Sequence, residues 1–196
     1  MKFVIVGLGN PGSEYEQTRH NAGRLAVETF ESSFELGGFA QDRKSKGLVS
    51  KGTVGEHTVT LILPETFMNK SGSAVGKFVT NAKAAERLVV VHDDIDLPFG
   101  SIKLSFGRGS GGHKGIESVI RAVKTKDFVR VRIGVAPTTP SGKIKKPQGE
   151  KKIHDFILGE FTKKEQETLK KIFKIITAAV ESIIVDGRVK AMNQFN

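Results

Sequence analysis

The chain has 196 residues, no cysteine, 31 Lys or Arg against 21 Asp or Glu, and a formal net charge of +10 at pH 7. Its length is that of one domain with a sizeable core, and its 38% hydrophobic and 27% charged residues are typical of a globular chain rather than a disordered one. The lack of cysteine excludes disulfides, thiolate metal sites and thiol nucleophiles. No uncharged stretch approaches the ~20 apolar residues of a membrane span, so we expect a cytoplasmic protein without a membrane partner.

The basic residues are concentrated in the second half of the chain. Residues 1–100 carry 11 basic and 12 acidic side chains, whereas residues 101–196 carry 20 basic and 9 acidic ones. This distribution is typical of a surface that binds a polyanion. Lys and Arg side chains that neutralise phosphates release the counterions of the polyanion, and this release favours binding. A basic surface that only aids solubility is the alternative. Charge therefore favours a nucleic acid partner.

Apolar runs separated by turn residues predict strands that alternate with helices. In chain order we predict a strand at 2–7, a helix at 20–34, strands at 48–53 and 58–63, a helix at 71–80, strands at 88–92 and 101–106, a helix at 113–123, a strand at 128–135 and a helix at 162–184. Residues 136–149 hold three prolines and three lysines and predict a mobile basic loop. The alternation predicts one α/β domain over 1–196, an α/β sandwich with a mixed twisted sheet and helices on both faces.

The loop after the first strand, Gly7-Leu8-Gly9-Asn10-Pro11-Gly12, matches the pattern G-x-G-x-x-G. A dinucleotide site needs a helix that begins at once and an acidic residue at the end of a second strand. Pro11 obstructs that geometry, and the acidic residues at a suitable distance lie in a helical pattern. The other interpretation is a loop that presents Asn10 as a polar contact. A nucleotide-dependent oxidoreductase therefore stays a lesser hypothesis.

His20 and Asp93 are candidates for acid–base chemistry. Asp93 follows the predicted strand 88–92 and should lie at its carboxyl end, where the sites of α/β proteins gather. If the two side chains meet, the carboxylate accepts from Nδ1–H of His20 and leaves Nε2 free as a general base for water. A lone His at the start of a helix also commonly serves as a cap or surface residue.

The run His92-Asp93-Asp94-Ile95-Asp96 could instead hold Mg²⁺ through its carboxylates. Consecutive strand residues point to opposite faces, so only alternate members converge, and no second acidic cluster completes the site. We therefore expect no metal.

Six segments in this order and at this spacing resemble the bacterial-type peptidyl-tRNA hydrolase family, across essentially the whole chain. They are VGLGNPGSEYEQTRHNAG at 6–23, PETFMNKSG at 64–72, VVVHDDIDLPFGSIKL at 89–104, GSGGHKGIESVI at 109–120, FVRVRIGV at 128–135 and HDFILGEF at 154–161. The resemblance implies a single α/β domain that hydrolyses the ester between a peptide and the 3′ end of tRNA, without metal or cofactor. The absence of a second apolar stripe predicts a monomer. A non-catalytic tRNA- or RNA-binding protein of the same fold is the alternative.

The resemblance also implies roles for single residues. His20 would be the catalytic base and Asp93 the group that orients it, while Asn10 and Asn69 would hold the peptide backbone and the attacking water. Other residues would line the cleft, namely Tyr15, Phe67 and Met68. A basic group would face tRNA phosphate, namely Lys103 and Arg132 with Lys143, Lys145 and Lys146 nearby in sequence.

Two positions depart from the family pattern. Lys114 stands where the family usually has Asn, and Ser105 stands where a Lys that grips tRNA is common. Lys114 has no acceptor, so we expect it to point toward the mouth of the cleft and to contact the acceptor end of tRNA electrostatically.

Overall fold

A seven-stranded mixed sheet runs through the centre of the molecule. The structure is a computed structural model that describes residues 1–196. The strands are β1 (Lys2–Gly7), β2 (Ala40–Asp42), β3 (Gly47–Val54), β4 (His57–Pro64), β5 (Leu88–Pro98), β6 (Ile102–Phe106) and β7 (Val129–Ala136). Their order in the sheet is β2-β3-β4-β1-β5-β7-β6.

Helices cover both faces of this sheet, which confirms the predicted sandwich. They are α1 (Ala22–Phe34), α2 (Gly72–Val75), α3 (Ala82–Ala85), α4 (Lys114–Val123), α5 (Glu150–Ile157), α6 (Lys163–Val185) and α7 (Arg188–Phe195). Short 3₁₀ turns are found at Ser13–Tyr15, Arg19–Asn21 and Met68–Lys70. One core contains α1 and α6, and a second contains α2 and α4. None of the helices combines the length and hydrophobicity needed to cross a bilayer.

The four central strands are parallel, and this fixes where polar loops gather. β1 lies between β4 and β5, and β7 pairs with the other edge of β5, all in parallel register. The remaining strands pair antiparallel at the two sides. The carboxyl ends of β1 and β5 therefore open at the same edge of the sheet, as in other open α/β sheets that bind ligands.

Two predicted elements differ from the structure, and four further elements were not predicted. The helix predicted at 71–80 is wrong, because only Gly72–Val75 is α-helical there. Gly72 lies so close to α4 that an added Cβ would meet the Ser118 carbonyl oxygen, so packing governs this segment. β5 continues beyond the predicted end at 92 because its pairing with β7 continues to Pro98, opposite Ala136. β2, α3, α5 and α7 were not predicted.

The segment 136–149 contains no regular helix or strand beyond the end of β7. It is folded back on itself by one bridge between Thr138 and Ile144 and by the hydrogen bond from Lys145 N to Pro137 O, 2.8 Å long. Its mobility stays a prediction.

Replacing Gly23 by Ala tests the close approach of α1 to the sheet. An added Cβ would lie 2.2 Å from the Val91 carbonyl oxygen and 2.9 Å from that of Leu8, both backbone atoms. Although Ala favours helices, we expect Gly23→Ala to lower the free energy of unfolding by about 2–3 kcal/mol, measured by urea denaturation. Gly109→Ala, whose Cβ meets nothing within 4 Å, is the control. Equal stabilities of the two variants would contradict this view of the packing.

Candidate active site

The carboxylate of Asp93 lies at the centre of a buried polar cluster. Asp93 is on β5, in the part that continues past the apolar core, and His20 is in the 3₁₀ turn Arg19–Asn21 that precedes α1. The His20 Nδ1 atom is 3.0 Å from both carboxylate oxygens of Asp93. Both side chains are buried. The structure thus brings together two side chains whose contact the sequence analysis had left conditional.

A second imidazole, that of His113, contacts the same carboxylate and was missed in the sequence. Its Nε2 atom is 3.0 Å from Asp93 Oδ1, and its Nδ1 atom accepts hydrogen bonds from Gly115 N and Ile116 N, at 3.1 and 3.3 Å. His113 is thereby the N-cap of α4. Because Nδ1 must carry a lone pair to accept, the proton of the neutral ring is on Nε2 and is donated to Asp93.

These two donors determine the protonation state of Asp93 and, through it, the tautomer of His20. Burial by itself raises the pKa of Asp93, but attraction to His20 and His113 and their hydrogen bonds outweigh it and hold the pKa well below its usual range. Asp93 is therefore an anion, and it accepts a hydrogen bond from Nδ1–H of His20. The tautomer of neutral His20 leaves Nε2 as the basic atom.

His92 adds a neutral imidazole on the other face of β5. Its Nδ1 donates to the Asp93 carbonyl oxygen at 2.7 Å, and its ring meets that of His113 edge to face, with centroids 4.7 Å apart. Burial, and then the nearby His113, hold its pKa well below the usual range. Its Nε2 is buried without a hydrogen-bond partner. His92 therefore packs behind the cluster as an uncharged ring.

His20, Asp93 and His113 place their ligand atoms within 4.8 Å of one another, a spacing that could suit a metal ion. The hydrogen bonds do not fit this use, since a metal needs the Nε2 lone pair of His113 and the cap of α4 needs its Nδ1 lone pair. The acidic run considered for Mg²⁺ is also engaged in ion pairs. Asp94 pairs with Arg132 at 2.7 Å and Asp96 with Lys146 at 2.5 Å.

A cavity of about 420 Å³ opens in front of the cluster. Its lining includes His20, Asp93 and His113 on one side and residues of α5, among them Ile153 and Ile157, on the other. Lys114 also lines it, with a side chain that is 64% exposed and an Nζ atom 3.9 Å from Glu117. The departure from the family pattern therefore lies on the cavity wall, with its ammonium group in solvent.

Asn10 is held rigidly beside this cavity by Asn21, which the sequence analysis missed. The Asn21 side chain accepts from Asn10 N at 2.8 Å and donates to Asn10 O at 2.9 Å. Asn10 Oδ1 accepts from Met68 N at 2.8 Å, so its amide nitrogen is left as a donor. Asn10 and Asn21 line a neighbouring cavity of about 370 Å³, not the cavity of His20. The two cavities flank the 3₁₀ turn that carries His20.

The remaining residues expected at the cleft lie outside the lining of both cavities. Met68 is 5% exposed and packs in the core under α4, so its part in the site is the backbone N–H that orients Asn10. Phe67 is 59% exposed, and Asn69 is exposed as well. Tyr15 is half-buried in the first 3₁₀ turn. The Met68 side chain is part of the core, and its place in the cleft stays a prediction.

The predicted basic residues lie across two neighbouring strands. Lys103 on β6 is directly opposite Arg132 on β7, and Arg132 is next to His92 in the register with β5. Lys103 is exposed, while Arg132 is partly covered and donates through Nε to Asp94. This row connects the histidine cluster to the outer edge of the sheet. Of the three loop lysines, Lys146 is paired with Asp96.

Arg130 is a further basic residue on this face that the sequence did not single out. It is 5% exposed yet forms no ion pair, unlike Arg132. Burial, and then the charges of Arg132 and Arg108, lower its pKa. Its neighbour across the ladder is Ser105, whose hydroxyl is buried without a partner. The charge of Asp94 partly offsets the effects on the pKa of Arg130, and the ladder holds a buried cation without an ion pair beside a hydroxyl without a hydrogen-bond partner.

Comparisons with known proteins give one consistent result. The chain matches the family model described as "Peptidyl-tRNA hydrolase" over residues 4–196. It is 38% identical over 194 residues to the peptidyl-tRNA hydrolase of Syntrophotalea carbinolica, covering 98% of this chain and 96% of that one, and 40% identical over 195 residues to that of Carboxydothermus hydrogenoformans, covering 99% and 98%. The crystal structure of peptidyl-tRNA hydrolase from Acinetobacter baumannii matches with a TM-score of 0.86 at 35% identity, covering 99% of this chain and 94% of that one.

Asp93→Asn tests the buried carboxylate through the pH dependence of stability. Because the folded-state pKa lies below the unfolded value of ~3.9, the ionised carboxylate stabilises the fold above that pH, and this contribution is lost as the pH falls toward the folded pKa. We expect the variant to be about 1–3 kcal/mol less stable at pH 7, with a smaller deficit below pH ~4, by urea unfolding. A deficit that is constant over this range would contradict the assignment of an anionic Asp93.

Proposed function

The chain belongs to the peptidyl-tRNA hydrolase family and releases tRNA from peptidyl-tRNA; we propose that it does so by hydrolysing the ester to the tRNA 3′ end with water and His20 as general base. The single observation that carries this proposal is the Asp93 carboxylate, which accepts from His20 Nδ1 and from His113 Nε2. That arrangement leaves a basic Nε2 atom at the wall of a cavity.

The proposed chemistry needs one base and one donor. His20 Nε2 takes a proton from water while the water oxygen bonds to the ester carbonyl carbon. As the tetrahedral intermediate collapses, the ester C–O bond breaks and the imidazolium returns its proton to the departing 3′ oxygen of the ribose. Asp93 stabilises the imidazolium between these steps without itself being protonated, as the low pKa of its carboxyl favours.

Asn10 is proposed as the donor that stabilises negative charge or holds the peptide carbonyl. Its Oδ1 is used by Met68 N, so Nδ2–H is the group left for substrate, and Asn21 fixes the backbone of Asn10 on both sides. A donor that is fixed in place before substrate arrives needs little reorganisation during the reaction. The exposed amide of Asn69 is the proposed second contact to the peptide. Tyr15 and Phe67 are proposed to border the path of the peptide.

The tRNA is proposed to lie on the basic face beside the cavity. Lys103 and Arg132 reach this face from adjacent strands. Arg130 supports the same role, because it lies two residues from Arg132 on the same strand and adds a positive charge that no ion pair neutralises. Arg130 and Arg132 would thereby supply the contact to tRNA phosphate that a Lys commonly makes in the family at the position of Ser105.

Incubation with N-acetyl-aminoacyl-tRNA and with free aminoacyl-tRNA tests the proposal directly. We expect hydrolysis of the blocked substrate, and we expect His20→Ala to lower kcat by about 10²–10⁴-fold while tRNA binding is retained, since only the proton acceptor is removed. His57→Ala is the matched control, because His57 begins β4 at the opposite edge of the sheet. Binding of tRNA without hydrolysis by the wild-type protein would favour the non-catalytic alternative.

Lys114→Asn tests the proposed contact of Lys114 with the acceptor end. Since Lys114 is an exposed cation at the cavity wall, we expect the variant to remain active and the slope of log affinity for tRNA against log salt to fall by about one phosphate contact. Lys83→Asn, on the exposed surface of α3, should leave the slope unchanged. An unchanged slope with a several-fold change in kcat would instead place Lys114 in the chemical step.

A further inference from the structure

The wall of the catalytic cavity that faces the histidine cluster is α5, a helix with little attachment of its own. None of its residues is buried. Four of them, Glu150, Ile153, His154 and Ile157, line the cavity. Ile153, Phe156 and Ile157 are half-buried, and Phe156 packs against the main core. A helix of eight residues is too short to be stable in isolation, so its position depends on this contact and on those at its carboxyl end.

The carboxyl end of α5 is joined to the segment that carries His20 through the backbone. Arg19 N donates to Gly159 O at 3.0 Å, and Phe161 N donates to Gln17 O at 2.9 Å. Thr18 and Glu160 form the bridge between these two hydrogen bonds. The linker between α5 and α6 is therefore paired with the residues that immediately precede His20.

The Arg19 side chain is in contact with both helices that this linker connects. Its guanidinium carbon lies 4.6 Å from the centroid of the Phe156 ring on α5 and 5.5 Å from that of Phe161. Its Nη2 atom donates to both carboxylate oxygens of Glu165, at 3.2 and 3.1 Å. Glu165 also accepts from Thr162 N at 2.7 Å and so closes the capping box at the start of α6. The arginine is 12% exposed.

We propose that Arg19 is a positioning residue that holds the α5 wall at a fixed distance from His20. This inference rests on the proposed function. The planar guanidinium stacks on an aromatic ring and binds a carboxylate through the same group, which a Lys ammonium cannot do. The imidazole of His20 is oriented by Asp93, not by Arg19. Loss of Arg19 therefore releases the wall that encloses the substrate and leaves the base in place.

Steady-state kinetics of Arg19→Gln with N-acetyl-aminoacyl-tRNA test this role. We expect KM to rise by about fivefold, kcat to stay within about twofold, and the pH profile of kcat to keep its shape. The KM of Arg19→Lys should lie between that of the wild-type protein and that of Arg19→Gln. A residue that serves stability alone would reduce the active fraction, which lowers the apparent kcat and leaves KM unchanged; that result would overturn the proposal.

Phe156→Leu makes the same test from α5, without altering the segment before His20. We expect the same direction of change in KM, and a double variant with Arg19→Gln whose effect is smaller than the product of the single effects, because both remove one contact. Arg188→Gln is the matched control, since Arg188 stacks on Phe106 at 4.0 Å, remote from the cavity lining. Fully multiplicative effects, or an equal change in KM in the control, would overturn the proposal.

Hydrogen–deuterium exchange separates this inference from the proposed function. In Arg19→Gln we expect faster exchange in residues 150–157 and unchanged exchange in β5, whatever the activity of the protein. Unchanged exchange in 150–157 would overturn the role of Arg19 even in an active enzyme. Absence of hydrolysis by the wild-type protein would refute the proposed function, while faster exchange of the helix would still support the role of Arg19 in holding it.

Discussion

The carboxylate of Asp93 is a buried anion between two imidazoles, and the site depends on it. A buried charge is stable only where donors surround it, and here His20 and His113 supply them at 3.0 Å each. His113 can do so because its other nitrogen caps α4. The helix start, the tautomer of His113, the charge of Asp93 and the orientation of His20 are thus linked in one chain of hydrogen bonds, and altering any member changes the others.

The groups of the site lie close together because β1, β5 and β7 are parallel. β5 is bordered by β1 and β7 running in the same direction, so the loop that holds Asn10 and the continuation of β5 that holds Asp93 emerge at the same edge. Asn21 then ties the Asn10 backbone to the turn that contains His20. The amide proposed to bind the peptide and the imidazole proposed as the base are thereby fixed on opposite sides of one short 3₁₀ turn.

The distribution of charge separates the two parts of the proposed substrate. The second cavity is lined by Asn10 and three glutamates against one arginine, Arg24, which is itself paired with Glu65 at 2.8 Å. The face formed by β6 and β7 carries Lys103, Arg130 and Arg132 instead. A polyanion is repelled from the first surface and attracted to the second, so electrostatics favours one orientation of tRNA on the enzyme.

The sequence by itself determined the α/β class, most strands and the pair His20 and Asp93, because apolar periodicity and strand-end placement are local properties of the chain. Resemblance to a family added the roles. Only the tertiary structure decided that His113 shares the carboxylate, that Asn21 fixes Asn10, that Met68 is buried and that Arg130 is buried beside Ser105. It also decided that the segment predicted as one helix at 71–80 is broken and that α5 forms a wall. These features depend on contacts between residues far apart in sequence, and a local pattern contains no information about which distant atoms will supply a hydrogen bond or remove the space for a side chain.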